Sequence, residues 1–344
     1  MKIVIDGYGG DHTPKEALAG SMLALSEYDD IEIVITGKEQ GLAECAAKLE
    51  IDVKNTDRLS FVNAPGILSM TDDPMSIRKE KADSSMGKGF NLLKSGEADA
   101  LVSGGNTGAL AVGCTLLAGR IKGIIRTALA PIMPSASGCF ILVDAGANVE
   151  CRPDMLMQFG IMGSIYMEQV LGVNSPKVGL VNVGLEENKG TPLQRETYTL
   201  LKSSAAVNFT GNIEAREIPL GHCDVVVADG FTGNIILKLE EGMGSFISSE
   251  LKSMFGASLK TKIVAMLVMK QIKAFKKKMD YKEYGGAPFL GSSKPVIKAH
   301  GSSDAKAFFN AIRQARMCVK QNVVRMIRES VAKQGNFDGN ILDI

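Results

Sequence analysis

The chain is 344 residues long, enough for one large α/β domain or two ordinary ones. Its 39 Lys and Arg residues stand against 38 Asp and Glu, a formal net charge of +1, which excludes a globally basic nucleic-acid binder and a solvating acidic tail. With no Trp and 6% aromatic residues, it also lacks the stacking platforms that bases or sugars use.

The N-terminus opens as a strand. Lys2-Ile3-Val4-Ile5-Asp6 is a short apolar run, unlike the longer apolar stretch of a secretory signal. Near-continuous Val, Ile and Leu predict further strands at 31–36, 100–103, 140–144, 177–183, 225–229 and 295–299. Helical periodicity predicts helices at 14–25, 41–49, 75–94, 107–117, 155–170, 191–203, 234–253 and 304–331. The alternation predicts an α/β fold with a largely parallel sheet. No repeat and no Pro/Ser-rich linker interrupts it, so residues 1–333 read as a single unit carried by one sheet, with room for a cleft between two lobes. Residues 334–344 form a polar, glycine-containing tail that is expected to fray. No stretch approaches the length of a bilayer span.

The loops after the strands carry the functional signal. Gly, Asn, Asp and Ser crowd the stretches 6–12, 103–108, 144–148, 184–190, 229–234 and 300–304. In parallel sheets, ligands sit beyond the carboxyl ends of the strands. One such loop is an ordinary turn; six at one edge predict an extended site. Gly105, Asn106 and Thr107 lead from an apolar strand into an apolar helix, which offers backbone N–H groups and a favourable dipole to an anion such as phosphate. Ser302 and Ser303 precede a long helix, where they can cap it, line the site, or both. Asp229 and Gly230 open the loop that ends at Asn234. Lys189 beside Gly190 can bring a cation to the same anion, although a loop lysine is more often just solvated.

Other chemistries fit poorly. The turn after the first strand lacks G-x-G-x-x-G, because position 12 is His, and the second strand ends without the acidic residue that a dinucleotide ribose needs. Cys45, Cys114, Cys139, Cys151, Cys223 and Cys318 form no CxxC pair, and only three His are available as co-ligands. They read as reduced cytosolic thiols. Neither a metal nor a nicotinamide cofactor is expected. With no Gly-x-Ser-x-Gly elbow and no HExxH, the chemistry must rest on positioning and electrostatics, with a substrate such as inorganic phosphate as the nucleophile.

Residues 251–278 stand apart: eight lysines, among them Lys262, Lys270, Lys273, Lys276 and Lys277, and no Asp or Glu. At helical spacing Val264, Val268, Ile272 and Phe275 share a face, with Lys262, Lys273 and Lys276 across from it. A basic amphipathic helix suits an anionic membrane surface or an acidic partner. A dimer or core helix with a solvated lysine face is the alternative.

At these loops the sequence resembles the phosphate acyltransferases of bacterial phospholipid synthesis, which transfer acyl groups from acyl carrier protein to phosphate. The matching stretches are 6–14, 77–86, 103–109, 142–148, 178–190, 209–214, 224–238, 280–291 and 297–305, in order and at the family's spacing. Gly7-Tyr8, Gly104 and Thr127 depart from the usual residues, but none lies in the Lys189 or Asn234 loop. The resemblance implies a Rossmann-like αβα sandwich of the isocitrate/isopropylmalate dehydrogenase type, used without a nicotinamide. It implies a cytoplasmic homodimer that meets the inner face of the membrane peripherally. The partners it implies are acyl carrier protein, inorganic phosphate and glycerol-3-phosphate acyltransferase. It also implies Lys189 and Asn234 as the key active-site residues, near the dimer interface. A coenzyme A-dependent phosphate acyltransferase and a non-catalytic membrane scaffold remain as alternatives.

Overall fold

The computed structural model describes residues 1–279 and 284–333, so the tail expectation and residues 280–283 of one matching stretch lie outside the described residues. Two sheets replace the single expected one. The first holds β1 (Lys2–Asp6), β2 (Glu32–Gly37), β3 (Leu59–Asn63), β4 (Ala100–Ser103), β5 (Ala128–Leu129), β11 (Ala287–Leu290) and β12 (Val296–Lys298), in the order β3-β2-β1-β4-β12-β11-β5. Its five strands from β3 to β12 are parallel, while β11 and β5 run antiparallel to their neighbours. The second holds β6 (Ile132–Ser135), β7 (Gly138–Val143), β8 (Lys177–Val181), β9 (Asn208–Ile213) and β10 (Val225–Val227), in the order β6-β7-β10-β8-β9. Only β6 is antiparallel there.

Strand residues alternate between two cores, as a pleated strand covered on both faces must. Ile3 and Ile5 enter one core and Val4 the other. The first core receives α1 (Lys15–Glu27) and α10 (Ala305–Lys320), which pack on each other. The second receives α3 (Ser85–Ser95), through Phe90 and Leu93. On the second sheet, α5 (Pro153–Leu171) and α6 (Pro192–Ser203) pack against β8, while α7 (Gly230–Gly256) touches β7. Helix α5 is buried without interruption from Met155 to Met167 and also contacts β11, α10 and α11 (Val323–Lys333), so it joins the two halves.

Chain passage between the sheets is short. Ala130 N–H donates to the Pro288 carbonyl of the first sheet's side at 2.9 Å, and the Pro131 carbonyl accepts from Leu142 N–H of the second at 3.0 Å. That crossover sets the carboxyl end of β7 beside β5.

Three expected helices differ in detail. The helix at 75–94 is a 3-10 turn, Pro74–Arg78, followed by α3, because Asp73 caps the first and Ser84 the second. The helix at 304–331 breaks at Gln321-Asn322, where Asn322 has φ +52°. Residues 251–278 are not one helix: α7 ends at Gly256, Ser258 caps α8 (Leu259–Leu267), and Val268 ends α8 before α9 (Met269–Met279). Val264 and Val268 therefore do not continue onto a straight face with Ile272 and Phe275.

A cavity of about 880 Å³ lies beside α7, lined by Met133, Ile236, Met243 and Phe275 with Glu240 among them. Burial in this apolar wall pushes the Glu240 carboxyl up to about 7. A raised acid holds its proton in the fold after the unfolded chain has lost it, so stability falls as pH climbs from the ordinary 4.5 through about 7. Glu240→Gln is expected to match wild type near pH 4.5 and to be more stable at pH 8, by about 1 kcal/mol after allowance for partial solvation. Thermal melts at the two pH values check the sign.

Candidate functional site

The second sheet positions the two residues that the family resemblance singles out. Strands β7, β10 and β8 are adjacent and parallel, so the loops after them share one edge. The loop after β7 is built around Asp144, which is fully buried. Its Oδ1 accepts from Leu129 N–H at 2.9 Å, Gly146 N–H at 3.2 Å and Ala147 N–H at 3.1 Å; its Oδ2 accepts from Asn148 N–H at 2.6 Å and Asn148 Nδ2 at 2.9 Å. Burial pushes this carboxyl up, and the surrounding donors work against that shift. Because Leu129 belongs to β5 and Asn148 Nδ2 also donates to the Thr127 carbonyl at 2.8 Å, the loop is tied to the edge of the first sheet.

The loop after β10 seats on that platform. Asp229 caps α7, accepting from Thr232 N–H at 2.8 Å and from the Thr232 hydroxyl at 2.9 Å. Gly230 N–H donates to the Asn148 carbonyl at 2.8 Å. A Cβ at Gly230 would collide with Asn148, and one at Gly233 with the Asp144 carbonyl oxygen. The helix thus begins four residues before the expected start at Asn234. Asn234 sits a turn inside it, half-buried against Gly146, whose φ of +131° is a conformation that favours glycine. No hydrogen-bond partner for the Asn234 amide is found among the described residues.

The loop after β8 presents Lys189. Asn182 Nδ2 donates to the Lys189 carbonyl at 3.2 Å, and Gly190 turns at φ +85°, packed on Asn182 and Gln194. The Lys189 side chain runs past Gly184 and is exposed. It makes no ion pair among the described residues.

The first sheet supplies the other loops. Asn106 caps α4 (Thr107–Val112) by accepting from Ala109 N–H at 3.1 Å, and its Nδ2 donates to the carbonyls of Met70 at 3.1 Å and Asp72 at 3.2 Å. Its side chain is therefore spent on holding the loop and takes the Ala109 N–H of the first turn, which leaves the N–H groups before Ala109 for an anion. Gly105 N–H donates to Ser103 Oγ at 3.0 Å. Ser302 Oγ is 2.9 Å from His300 Nδ1, and Ser303 is buried. Neither serine caps the following helix; Asp304 does, accepting from Ala307 N–H at 2.9 Å.

No thiol competes for the chemistry. All six cysteines are free, and burial pushes Cys151, which lies under these loops with Sγ 3.5 Å from the Asn148 carbonyl, up to about 12. A thiol in that state is a poor nucleophile at neutral pH. Among the described residues no cluster of His, Cys, Asp and Glu could hold a metal, and no helix is long and apolar enough to cross a membrane.

The family model described as "Fatty acid synthesis protein" matches residues 1–326. The chain belongs to this family. A phosphate acyltransferase of Alkaliphilus oremlandii is 49% identical over 336 residues, covering 98% of this chain and 99% of that protein. A phosphate acyltransferase of Clostridium perfringens strain SM101 is 48% identical over 338 residues, 98% of each. The protein is thus an acyltransferase of the phosphate acyltransferase family. A phosphotransacetylase from Streptococcus pyogenes shares its fold, with a TM-score of 0.64, 16% identity, and coverage of 93% of this chain and 94% of that one.

Sequence reading of this acyltransferase missed two structural residues. Asp144 was legible only as a turn former, yet it organises the β7 loop. Lys298 ends an apolar strand as its sole charged residue, a signal that could have been noticed.

Proposed function

We propose that this acyltransferase moves a fatty acyl group from the thioester of acyl carrier protein to inorganic phosphate. The acyl phosphate then feeds glycerol-3-phosphate acylation at the membrane. The observation that carries the reading is the pair Lys189 and Asn234. Lys189 stands on the loop after β8 and Asn234 near the start of α7, which follows the neighbouring strand β10; among the described residues neither side chain has a hydrogen-bond or ion-pair partner, and no activated nucleophile accompanies them. We read the fold as the isocitrate/isopropylmalate dehydrogenase type used without a nicotinamide.

The chemistry follows from this arrangement. Lys189 and the first-turn N–H groups of Asn106 and Thr107 hold phosphate, with the loops of Gly105, Asp229, Gly230, Ser302 and Ser303 shaping the wall. A phosphate oxygen attacks the thioester carbonyl carbon. The C–O bond forms, negative charge builds on the carbonyl oxygen, and the Asn234 amide donates to it. As the carbonyl re-forms, the C–S bond breaks and the pantetheine sulfur leaves as a thiolate, which needs little acid help.

A homodimer suits α7. Phe231, Ile235, Leu239, Met243 and Phe246 form an exposed apolar stripe along it, starting three residues from Asn234. Lys262, Lys270, Lys273, Lys276 and Lys277 are all exposed on α8 and α9. Beside them Leu259 is 80% and Leu267 78% exposed, which favours peripheral contact of a cytoplasmic enzyme with anionic lipid over a purely electrostatic partner.

Two measurements test these readings. Purified protein is expected to release the free thiol of acyl carrier protein from acyl-ACP only when phosphate is added; turnover of acyl-coenzyme A with none of acyl-ACP would move the donor to coenzyme A. Replacing Lys270, Lys273, Lys276 and Lys277 with Gln is expected to weaken binding to anionic vesicles, with about 1 kcal/mol per lysine at stake, and to leave the phosphate dependence unchanged. Lys278 stays, because it donates to the Ala136 carbonyl at 2.8 Å. Salt on the wild type should mimic the variant, since such attractions decay over roughly 8 Å at physiological ionic strength. Equal vesicle binding at low salt would leave the lysines as a solvated face.

A further inference from the structure

Three neighbouring strands of the first sheet end in a polar row. β1 ends at Asp6, β4 at Ser103 and β12 at Lys298, after interiors made of Ile, Val, Leu and Ala. The register pairs Ser103 with Lys298 directly and sets Asp6 next to Ser103, one step beyond the Ile5–Val102 pair. Ser103 Oγ donates to Asp6 Oδ2 at 2.6 Å and accepts from Gly105 N–H at 3.0 Å. Lys298 Nζ donates to the Gly104 carbonyl at 3.1 Å and to the Ala299 carbonyl at 2.6 Å.

Both Lys298 bonds land on loops that the proposed site uses. Gly104 opens the loop that leads to Asn106 and Thr107. Ala299 opens the loop of Ser302 and Ser303. The glycine backbones pack closely here: a Cβ at Gly104 would collide with the Gly9 carbonyl, and Asp11 N–H donates to the Gly301 carbonyl at 2.8 Å. An ammonium has three N–H donors, and the two carbonyls take two.

We propose that Lys298 is a positioning residue for phosphate: it ties the loop after β4 to the loop after β12, and its charge strengthens anion binding in the loops above it. This rests on the proposed acyl transfer to phosphate. The charged groups that act on Lys298 are Asp6 from β1 and Asp11 from the loop after β1. Ser103 from β4 is neutral, and α10 lies on the opposite face with Ile297. Burial lowers the Lys298 ammonium to about 8, and the two carboxylates pull it the other way. Its charge, and the phosphate affinity it supports, are therefore present below that pH and lost as pH rises through it.

Steady-state kinetics of the full-length protein with acyl-ACP and inorganic phosphate test this. Wild type should show a phosphate KM that climbs about fivefold or more between pH 7.5 and 9, a range in which inorganic phosphate is already mostly dianionic. Lys298→Met should raise the phosphate KM at least about tenfold at pH 7.5, leave the acyl-ACP KM within about twofold, and flatten the pH dependence. Lys298→Arg, which stays charged, should keep the phosphate KM within about threefold of the wild-type value at pH 7.5 all the way to pH 9, without the climb. A Met variant with wild-type phosphate KM overturns the inference. If that variant does not fold, a wild-type phosphate KM that is flat to pH 9, or an Arg variant that climbs like wild type, overturns it instead. A wild type without phosphate-dependent turnover defeats the acyl-transfer reading itself, a result distinct from all of these.

Discussion

Asn234→Ala is expected to lower kcat by about 100- to 1,000-fold, the usual cost of removing one donor from an oxyanion site. The amide stands a turn inside α7, over the Gly146 backbone, and finds no protein partner among the described residues. Its position is fixed from below: Gly230 and Gly233 bring the helix onto the Asp144–Asn148 loop with no space for a Cβ. An amide held this way need not reorganise when charge develops on the substrate carbonyl. Because the side chain is half-buried and unbonded, its loss should change stability by about 1 kcal/mol or less. The expected signature is a collapse of kcat with a near-normal melting temperature. A variant within about threefold of wild-type kcat would remove Asn234 from the chemistry.

Lys189→Ala is expected to lower turnover at least about tenfold and leave the fold intact. A charge-assisted contact to phosphate is worth about 1.5–3 kcal/mol, which sets that scale. The side chain is exposed and makes no ion pair, so no buried carboxylate is orphaned when it goes. The loop keeps its shape, since Asn182 holds the backbone carbonyl of residue 189 and not the ammonium. Lys189→Arg should recover part of the activity. Near-wild-type phosphate kinetics in the Ala variant would sink the assignment.

Much of this was legible in the sequence, for identifiable reasons. Strands such as β1 and β10 are covered on both faces, so their Val and Ile runs are continuous. The loops after them contain Gly where the backbone has to turn or approach another loop, and Gly190 at φ +85° is one such place. What stayed hidden lacked local signal. β5 is two residues long, β6 contains Pro134, and β9 is mostly polar with a register shift where Gly179 pairs Gly211. The division into two sheets depends on β5 pairing with β11 and β4 with β12 across long sequence distances, which no periodicity encodes. Helical periodicity set the helix start at Asn234, yet the Asp229 cap begins the helix earlier. Asn106 and Asp229 were placed in the site by their loops alone, and only their hydrogen bonds show that both side chains are helix caps. The lysine-rich stretch read as one amphipathic helix because the Ser258 and Val268 breaks leave the charge pattern intact.

The most direct test of the account weighs the product. Purified protein is mixed with acyl-ACP and oxygen-18-labelled phosphate, and the small-molecule product is analysed by mass spectrometry before it hydrolyses. Attack by a phosphate oxygen on the thioester carbonyl predicts an intact acyl phosphate that retains every heavy oxygen of the phosphate, formed in step with free acyl carrier protein and lost in Asn234→Ala. Free fatty acid as the only product, or unchanged acyl-ACP in the presence of phosphate, would contradict the account.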